Sequence, residues 1–522
     1  MILKLFSHKD KFFIFLLFLF AVLFNQYYGN KGIFPMDSAH FFDSGFRILK
    51  GDVPFIDYWL IKGPLLDYIQ AFFFSIFGVN WQSYLLHASF FNGLIVVCTF
   101  FVLKNFQLEK KYCYLYSFLL SILAYPSSGT PFIDHHSAFF CLLALYSLLL
   151  GIKKQKKIFW ILVPILLIFG FLSKQVPTVY FSLSLIIVLS LYFLILRKFQ
   201  GLKLMVLSSL SCIILLLIFG KSQGITFSSF FIQHILFPQT IGSGRLEGLD
   251  LSLYTIDNFT LILISLSPLF LLNFKKIIFF KKYKKDNNLY YFLILLFYFI
   301  SLIFHQIMTK NQTFIFFLIP LVAAFSHIEL LRSKIKLKNK INILIILICI
   351  FATFKYHLRF NEGRKFHELK NANFDLAVNA NKINEKLSGL KWISPQYKNN
   401  PKKEVMLINK IKNTLIEDKR RKMLITNYPF FSIILEEKLF SPSRVYTGDG
   451  TTHPIKGNKY EKKYKEIISN LVSKNNISVI YITKFKDENI NFHYIDELFQ
   501  NCSKEKIIIE QLSSYNIENC IK

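Results

Sequence analysis

Residues 12–28 read FFIFLLFLFAVLFNQYY, a long, predominantly apolar stretch that follows the positive charges of Lys9 and Lys11. A helix of about 20 apolar residues can cross the hydrocarbon core of a bilayer. Because no small-residue cleavage site follows the stretch, we interpret it as a retained signal anchor. The chain is therefore predicted to enter a membrane with its first helix.

Ten further apolar blocks follow the first one. They lie near 83–103, 112–126, 137–151, 158–173, 178–196, 204–220, 256–274, 289–307, 313–331 and 341–357. A chain that is 53% hydrophobic, with 60 phenylalanines in 522 residues, is not an ordinary soluble domain. Its formal net charge of +30 falls mainly in short clusters between the apolar blocks, which is typical of loops beside anionic lipid. We predict a multi-pass membrane protein of about eleven transmembrane helices, with no nucleic-acid partner.

Positive charge alternates along the connections between the blocks. Lysine and arginine are concentrated at 104–111, 153–157, 197–203, 275–285 and 332–340. The connections between these are long or poor in positive charge, namely 29–82, 127–136, 174–177, 221–255 and 308–312. Since cytoplasmic loops carry the excess of positive charge, the N-terminus is predicted to lie in the cytoplasm. Residues 1–357 then form a transmembrane domain of the inner membrane, and residues 358–522 form an extracytoplasmic domain on the periplasmic side.

The first outer loop, residues 29–82, has a helical pattern of its own. Ser38–Lys50 places apolar and polar residues on opposite faces, which predicts a helix in the plane of the interface, ended by Gly51. Leu65–Phe77 is apolar but too short to span comfortably, and Gly78 closes it. We interpret this second stretch as an interfacial or re-entrant helix.

The tail has a mixed α/β pattern. Met423–Asn427, Val479–Thr483 and Lys506–Glu510 are predicted strands, and Lys459–Lys474 is a predicted amphipathic helix. The fold class is thus a membrane all-α domain with outer-face interfacial helices and a C-terminal α/β domain. Cys502 and Cys520 are the only cysteines of the tail, so an oxidising compartment favours a disulfide between them.

Two residues of the first outer loop could carry chemistry. Asp37 precedes a predicted helix, where a carboxylate can cap the helix or accept a proton from an acceptor hydroxyl. Lys62 lies outside, against the positive-inside bias, and Gly63-Pro64 after it favours a turn that could direct its side chain. Such a lysine either pairs with lipid headgroups or binds a lipid phosphate.

The second outer loop ends in Asp134, His135 and His136. Asp134 is at a predicted N-cap, yet an acid with two imidazoles could also bind a phosphate or a divalent cation, with Asp134 and His135 as the metal ligands. No cofactor beyond this metal is indicated. Other polar residues share the same side of the membrane: His40, Lys174, Gln175, Lys310, Asn311 and Gln312.

Together, several of these motifs resemble a known family. The order Phe34-Pro35-Met36-Asp37-Ser38, Gly51-Asp52-Val53-Pro54, Lys62-Gly63-Pro64-Leu65 and Phe77-Gly78 resembles the first outer loop of GT-C glycosyltransferases of the protein O-mannosyltransferase and aminoarabinose-transferase type. The resemblance covers the N-terminal 180 residues, and residues 310–320 resemble the family more weakly. It implies a fold of roughly eleven to thirteen spans, an outer C-terminal domain and a polyprenyl-phosphate sugar as donor.

The resemblance also implies roles for particular residues. Asp37 matches the first-loop acid of catalysis or acceptor positioning, Lys62 matches the lysine that contacts the lipid phosphate, and Asp134 matches the second-loop acid. Many relatives have Asp-Glu where this chain has Asp37-Ser38, and Pro-Pro where it has Gly63-Pro64. The first departure weakens any mechanism that needs two adjacent carboxylates. The second leaves open where the Lys62 side chain points.

The predicted function is an inverting transfer of a sugar from polyprenyl phosphate to an acceptor hydroxyl on the outer face. Asp37 and Asp134 are the predicted catalytic residues, and Lys62 and Lys174 the predicted phosphate-binding ones. His40, His135, His136, Gln175 and residues 310–312 would position substrates. The acceptor could be a glycan, a lipid or a protein. A lipid-linked-oligosaccharide flippase or transporter would instead require charges within the spans and internal symmetry. An oligosaccharide polymerase would carry its main outer loop late in the chain.

Overall fold

A computed structural model describes residues 7–247, 259–309, 314–447, 449–485, 490, 492–499, 503–504, 509–518 and 520. The chain divides into two compact units. The first consists of Met1–Tyr28, Ala88–Leu217 and Arg245–Phe366, and the second of Gly29–His87, Ile218–Gly244 and His367–Lys522. The second unit thus combines the predicted first outer loop with the tail. The predicted boundary near residue 357 remains a prediction.

Each predicted apolar block coincides largely with helix in the described part of the chain. The helices are His8–Gly29, Trp81–Asn105, Lys110–Leu123, Ile133–Lys154, Lys157–Ser173, Gln175–Leu196, Phe199–Ser222, Thr260–Ile278, Asn287–Thr309, Leu318–Arg332 and Lys338–Tyr356. Within the described residues, nine helices are long and apolar enough to cross a membrane. Lys110–Leu123 and Lys157–Ser173, with 14 and 17 residues, are the two shorter ones. The multi-pass helical fold class is confirmed.

Burial differs sharply among these helices. In Ile133–Lys154, 94% of the most apolar window is buried, because the helix packs against Lys157–Ser173, Gln175–Leu196 and Asn287–Thr309. In Phe199–Ser222 none of that window is buried. A helix whose large apolar side chains stay exposed in the folded protein is suited to contact lipid on most of its surface. Ile133–Lys154 is therefore the central helix of the first unit.

The second unit begins with short helices where the sequence predicts one. Pro35–Ser38 and His40–Leu49 are separated at Ala39, so the predicted helix Ser38–Lys50 is divided near its start. Leu65–Phe77 has the predicted bounds. Gly51 and Gly78 follow the last two helices with φ of +85° and +80°, a conformation that glycine adopts without the strain of a side chain.

The polar face of His40–Leu49 is not solvated, although the sequence pattern predicts an interfacial helix. Asp43, Ser44 and Arg47 are all less than 10% exposed. Arg47 donates to the carboxylate of Asp52 over 2.8 Å and to the carbonyl of Ser441 over 2.8 Å. Tertiary hydrogen bonds within the second unit replace water on this face. Periodicity alone cannot distinguish such a buried polar face from a solvated one.

The tail contains a four-stranded sheet in its described part. Lys422–Ile425 pairs in parallel with Val479–Thr483, which pairs antiparallel with Leu512–Asn516, and Ser503–Lys504 lies at the edge. Helices Pro401–Glu417 and Glu461–Asn475 accompany the sheet, and a two-stranded ladder joins Val378–Asn379 to Lys391–Trp392. Smaller helices are Phe227–Phe231, Ile232–Leu236, Phe237–Glu247, Phe431–Leu435 and Tyr494–Leu498.

Three of the four tail predictions match the structure closely. The first two strands and the amphipathic helix lie within two residues of their predicted bounds. The third predicted strand, Lys506–Glu510, falls largely outside the described residues, and Glu510 lies in a turn. Leu512–Asn516 has the sequence LSSYN, whose polar composition gave no strand signal although its first three residues are buried.

Candidate functional site

Asp37 does not cap a helix, in contrast to the prediction. The helix Pro35–Ser38 starts before it, with Phe34 as the N-cap residue, and the next helix has Ala39 at that position. Neither cap residue uses a side chain. Proline is favoured at the first position of a helix, so Pro35 moves the start upstream and places Asp37 in the first turn.

Asp37 and Lys62 line the same cavity. This cavity has a volume of about 270 Å³ and belongs entirely to the second unit. Its wall is formed by three segments of the chain: Met36, Asp37 and His40; Trp59, Leu60, Ile61 and Lys62; and Arg444, Val445, Thr447, Asp449, Thr451 and Thr452. Asp37 and Lys62 of the first outer loop are therefore found together, and the tail contributes the third segment.

Arg444 anchors the tail segment beside Lys62. Its guanidinium donates to the carboxylate of Asp67 over 2.8 Å and to the carbonyl of Gly63 over 3.3 Å. It also lies 4.8 Å from the centre of the Phe41 ring, a cation–π contact. Asp67 in turn accepts hydrogen bonds from Ser44 and Tyr58 over 2.6 and 3.1 Å. This buried network fixes the turn that carries Lys62.

The cavity is electrostatically positive at His40. Burial lowers the pKa of His40 well below its ordinary value, and the nearby charges of Arg444 and Lys62 lower it further. The imidazole is therefore neutral at pH 7, with its Nδ1 3.3 Å from the carbonyl of Met36. The neutral imidazole therefore adds no charge of its own beside Lys62 and Arg444.

Asp134 lies in the first unit and forms a buried triad. It is the second residue of helix Ile133–Lys154, with Phe132 at the N-cap position, so the predicted cap is wrong here too. Its Oδ1 lies 2.5 Å from Lys174 Nζ and 2.8 Å from His305 Nε2. Lys174 is thus an ion-pair partner of Asp134, and the catalytic role of Asp134 remains a prediction.

The two histidines after Asp134 make local contacts in the first unit. His135 stacks on Tyr125 and lies 3.3 Å from Ser127 Oγ, and His136 Nδ1 is 2.5 Å from the Tyr125 hydroxyl.

Among the described residues, the only group of three His, Cys, Asp or Glu side chains close enough to one another to bind a cation is Glu461, His493 and Glu497. The predicted metal at Asp134 and His135 therefore has no third ligand in the described part of the chain.

Several predicted site residues cannot be placed. Lys310, Asn311 and Gln312 lie outside the described residues, and so does Cys502. Cys520 is disulfide-bonded, but its pairing with Cys502 remains a prediction. Gln175 begins the helix Gln175–Leu196, directly after Lys174.

A comparison with models of protein families finds no match, and neither does a comparison with curated protein sequences. Two solved structures are similar to this chain over nearly its whole length. ArnT from Cupriavidus metallidurans in the apo state is 12% identical, with a TM-score of 0.45 and 98% of both chains covered. ArnT from the same organism bound to undecaprenyl phosphate is 10% identical, with a TM-score of 0.43 and 96% and 97% of the two chains covered.

Arg444 and the segment after it are the site residues that sequence reasoning missed. Thr447-Gly448-Asp449-Gly450-Thr451-Thr452 gives a turn signal in the sequence, with two glycines and an aspartate. Nothing in the local pattern relates it to Asp37, about 400 positions earlier. With it, the cavity offers a carboxylate that can accept a proton, two cations that can bind a phosphate, and a row of hydroxyls.

Proposed function

We propose that this protein is a membrane glycosyltransferase that moves a sugar from a polyprenyl-phosphate donor to an acceptor hydroxyl. The observation that carries the proposal is the single cavity shared by Asp37, Lys62 and Arg444. A carboxylate beside two cations matches the needs of the reaction, in which a hydroxyl loses a proton while a phosphate accumulates charge. The resemblance of the first outer loop to GT-C enzymes supports the same reaction.

In this mechanism Asp37 accepts the proton of the acceptor hydroxyl as its oxygen attacks the anomeric carbon. The new bond joins the acceptor oxygen to that carbon, and the bond from the carbon to the phosphate oxygen breaks. Polyprenyl phosphate leaves with the bonding electrons, and the configuration at the anomeric carbon is inverted. Lys62 and Arg444 stabilise the charge that develops on the departing phosphate.

Lys62 and Arg444 divide the recognition of the phosphate in this proposal. Arg444 is held by Asp67 and the carbonyl of Gly63, so its position is fixed before the donor arrives. Lysine is a compact charge on a flexible chain and can follow the phosphate as it leaves. Together they supply positive charge beside the departing phosphate.

The test uses purified protein with a panel of polyprenyl-phosphate sugars and measures the release of polyprenyl phosphate. Asp37→Asn should lower turnover by about 10²- to 10⁴-fold, the usual contribution of a general base, with donor affinity unchanged. Asp37 caps neither helix, so this loss would not reflect a missing cap. Asp375→Asn is the matched control, because Asp375 is exposed in the same unit.

Lys62→Ala should weaken donor binding, and Lys62→Arg should restore it only partly, because a guanidinium has a different shape and reach. Lys402→Ala is the control, since Lys402 is an exposed lysine of the same unit. Near-normal turnover of Asp37→Asn would exclude Asp37 as the base. Movement of a labelled lipid-linked sugar across vesicles, without release of polyprenyl phosphate, would indicate a transporter instead.

A further inference from the structure

The tail segment of the cavity wall forms a small hydrogen-bonded loop. We call Thr447 and residues 449–452 the threonine loop. The Thr447 hydroxyl oxygen lies 3.2 Å from that of Thr451 and 3.1 Å from that of Thr452. Asp449 Oδ1 accepts from the backbone N–H and the hydroxyl of Thr451 over 3.1 and 2.8 Å. Three hydroxyls and one carboxylate therefore stand together on one segment of the wall.

Backbone geometry holds this loop in shape. Gly450 has a φ of +69°, and a Cβ at this position would lie 2.9 Å from the side chain of Ile455. Before the loop, the buried Tyr446 donates its backbone N–H to the amide oxygen of Asn427 over 3.1 Å. After it, the Thr452 hydroxyl lies 3.0 Å from His453 Nδ1. The loop is thus fixed at both ends and presents its polar atoms without a large rearrangement.

The charge of the loop is opposite to that of Lys62 and Arg444. Partial burial raises the pKa of Asp449, but hydrogen bonds from Thr447 and Thr451 outweigh this and hold the pKa below its ordinary value. Asp449 is therefore ionised at neutral pH. A carboxylate repels phosphates and carboxylates but accepts hydrogen bonds strongly from neutral hydroxyls. This segment is suited to a polyhydroxylated ligand without negative charge.

We propose that the threonine loop binds the acceptor, and that the acceptor is a neutral saccharide whose hydroxyls donate to Asp449. This inference rests on the proposed function, because it assigns the second substrate of the same cavity. The volume of about 270 Å³ lies just below the range of about 300 to 1,000 Å³ typical of small-molecule pockets. The cations then bind the donor phosphate, while the loop selects the acceptor.

The experiment compares three acceptors with one polyprenyl-phosphate sugar as donor: a neutral oligosaccharide, an oligosaccharide containing uronic acid, and a threonine-containing peptide. The neutral oligosaccharide should be the preferred acceptor. Asp449→Asn should raise its KM by about tenfold or more, the usual effect of losing a hydrogen bond to a charged group. Affinity for polyprenyl phosphate should not change. Asp449→Glu should restore part of the loss, and Asp375→Asn should behave like the natural protein.

Each contrary outcome has a distinct meaning. No release of polyprenyl phosphate with any acceptor would contradict the proposed function itself. Transfer to the neutral oligosaccharide with an unchanged KM in Asp449→Asn would overturn only the role of the loop. A preference for the uronic acid or the peptide would overturn the assigned acceptor class. If Asp449→Asn weakened donor binding as much as acceptor binding, the loop would act by stabilising the fold. This result would also overturn the inference.

Discussion

Replacing Arg444 with alanine tests the network that fixes the cavity. Arg444 and Asp67 have side chains only 7% and 0% exposed, and their charged groups are 2.8 Å apart. Removing one partner of a buried ion pair typically costs about 3–5 kcal/mol, because the other charge is left in a poorly solvating site. Asp67 would keep only its hydrogen bonds from Ser44 and Tyr58.

The pH dependence of this loss follows from the carboxyl group. Burial raises the pKa of Asp67 even with Arg444, Ser44 and Tyr58 stabilising its charge. In folded Arg444→Ala, Asp67 would be protonated. Protonating a carboxyl with an ordinary pKa of about 3.9 costs about 4 kcal/mol at pH 7 and about 1.5 kcal/mol at pH 5. The cost of protonating Asp67 is the upper limit on the stability that Arg444→Ala loses. The difference in stability between the variant and the natural protein should therefore decrease as the pH falls.

The assay is thermal unfolding of purified protein in detergent at pH 7 and pH 5. For a unit of about 150 to 250 residues, each kcal/mol lowers Tm by about 2 to 4 °C, so the expected decrease at pH 7 is about 6 to 16 °C. Asp67→Asn combined with Arg444→Ala should recover much of it, because no charge is then buried. The control is Arg420→Ala, since Arg420 pairs with Asp418 and is 32% exposed; its loss should be at most about 1 kcal/mol.

An Arg444→Ala variant no less stable than Arg420→Ala would refute this reasoning. So would a deficit of equal size at both pH values, because a loss of packing alone does not depend on the protonation of Asp67. The two results differ in meaning. The first would show that the ion pair contributes little, and the second that Arg444 acts through packing, for example on Phe41, rather than through its ion pair with Asp67.

Three further predictions concern other parts of the chain. Burial raises the pKa of Asp43 to about 6. The natural protein should therefore lose about 3 kcal/mol of stability as the pH rises from about 4 to 6. In Asp43→Asn, Tm should change less with pH over this range. Lys174→Ala should lower stability by about 3 kcal/mol in thermal unfolding, because Asp134 is only 2% exposed, and adding Asp134→Asn should recover most of the loss. Reporter fusions after Lys157 should report the cytoplasm and those after Lys522 the outside; the reverse result would exchange the faces of every loop.

Much of the architecture follows from short-range patterns in the sequence. The apolar blocks predict the nine described helices that are long enough to cross a membrane, because a bilayer needs about 20 consecutive apolar residues and such runs are visible without knowledge of the fold. The bounds of Leu65–Phe77 and Val479–Thr483 are predicted exactly, since both are apolar and bounded by clear breaks. The two N-cap predictions fail, because helix ends shift by a residue or two with little change in pattern.

The sequence by itself determined that the protein crosses the membrane many times, and it indicated Asp37 and Lys62 as candidates for chemistry. Only the tertiary structure decided which groups accompany them. Arg444 and Asp449 reach the cavity from almost 400 positions away, and Lys174 forms an ion pair with Asp134. Local sequence patterns indicate which residues of one helix or strand are buried and which backbone conformation they prefer. The partner of a charged side chain is instead set by tertiary packing, which brings distant segments of the chain within a few ångströms of it.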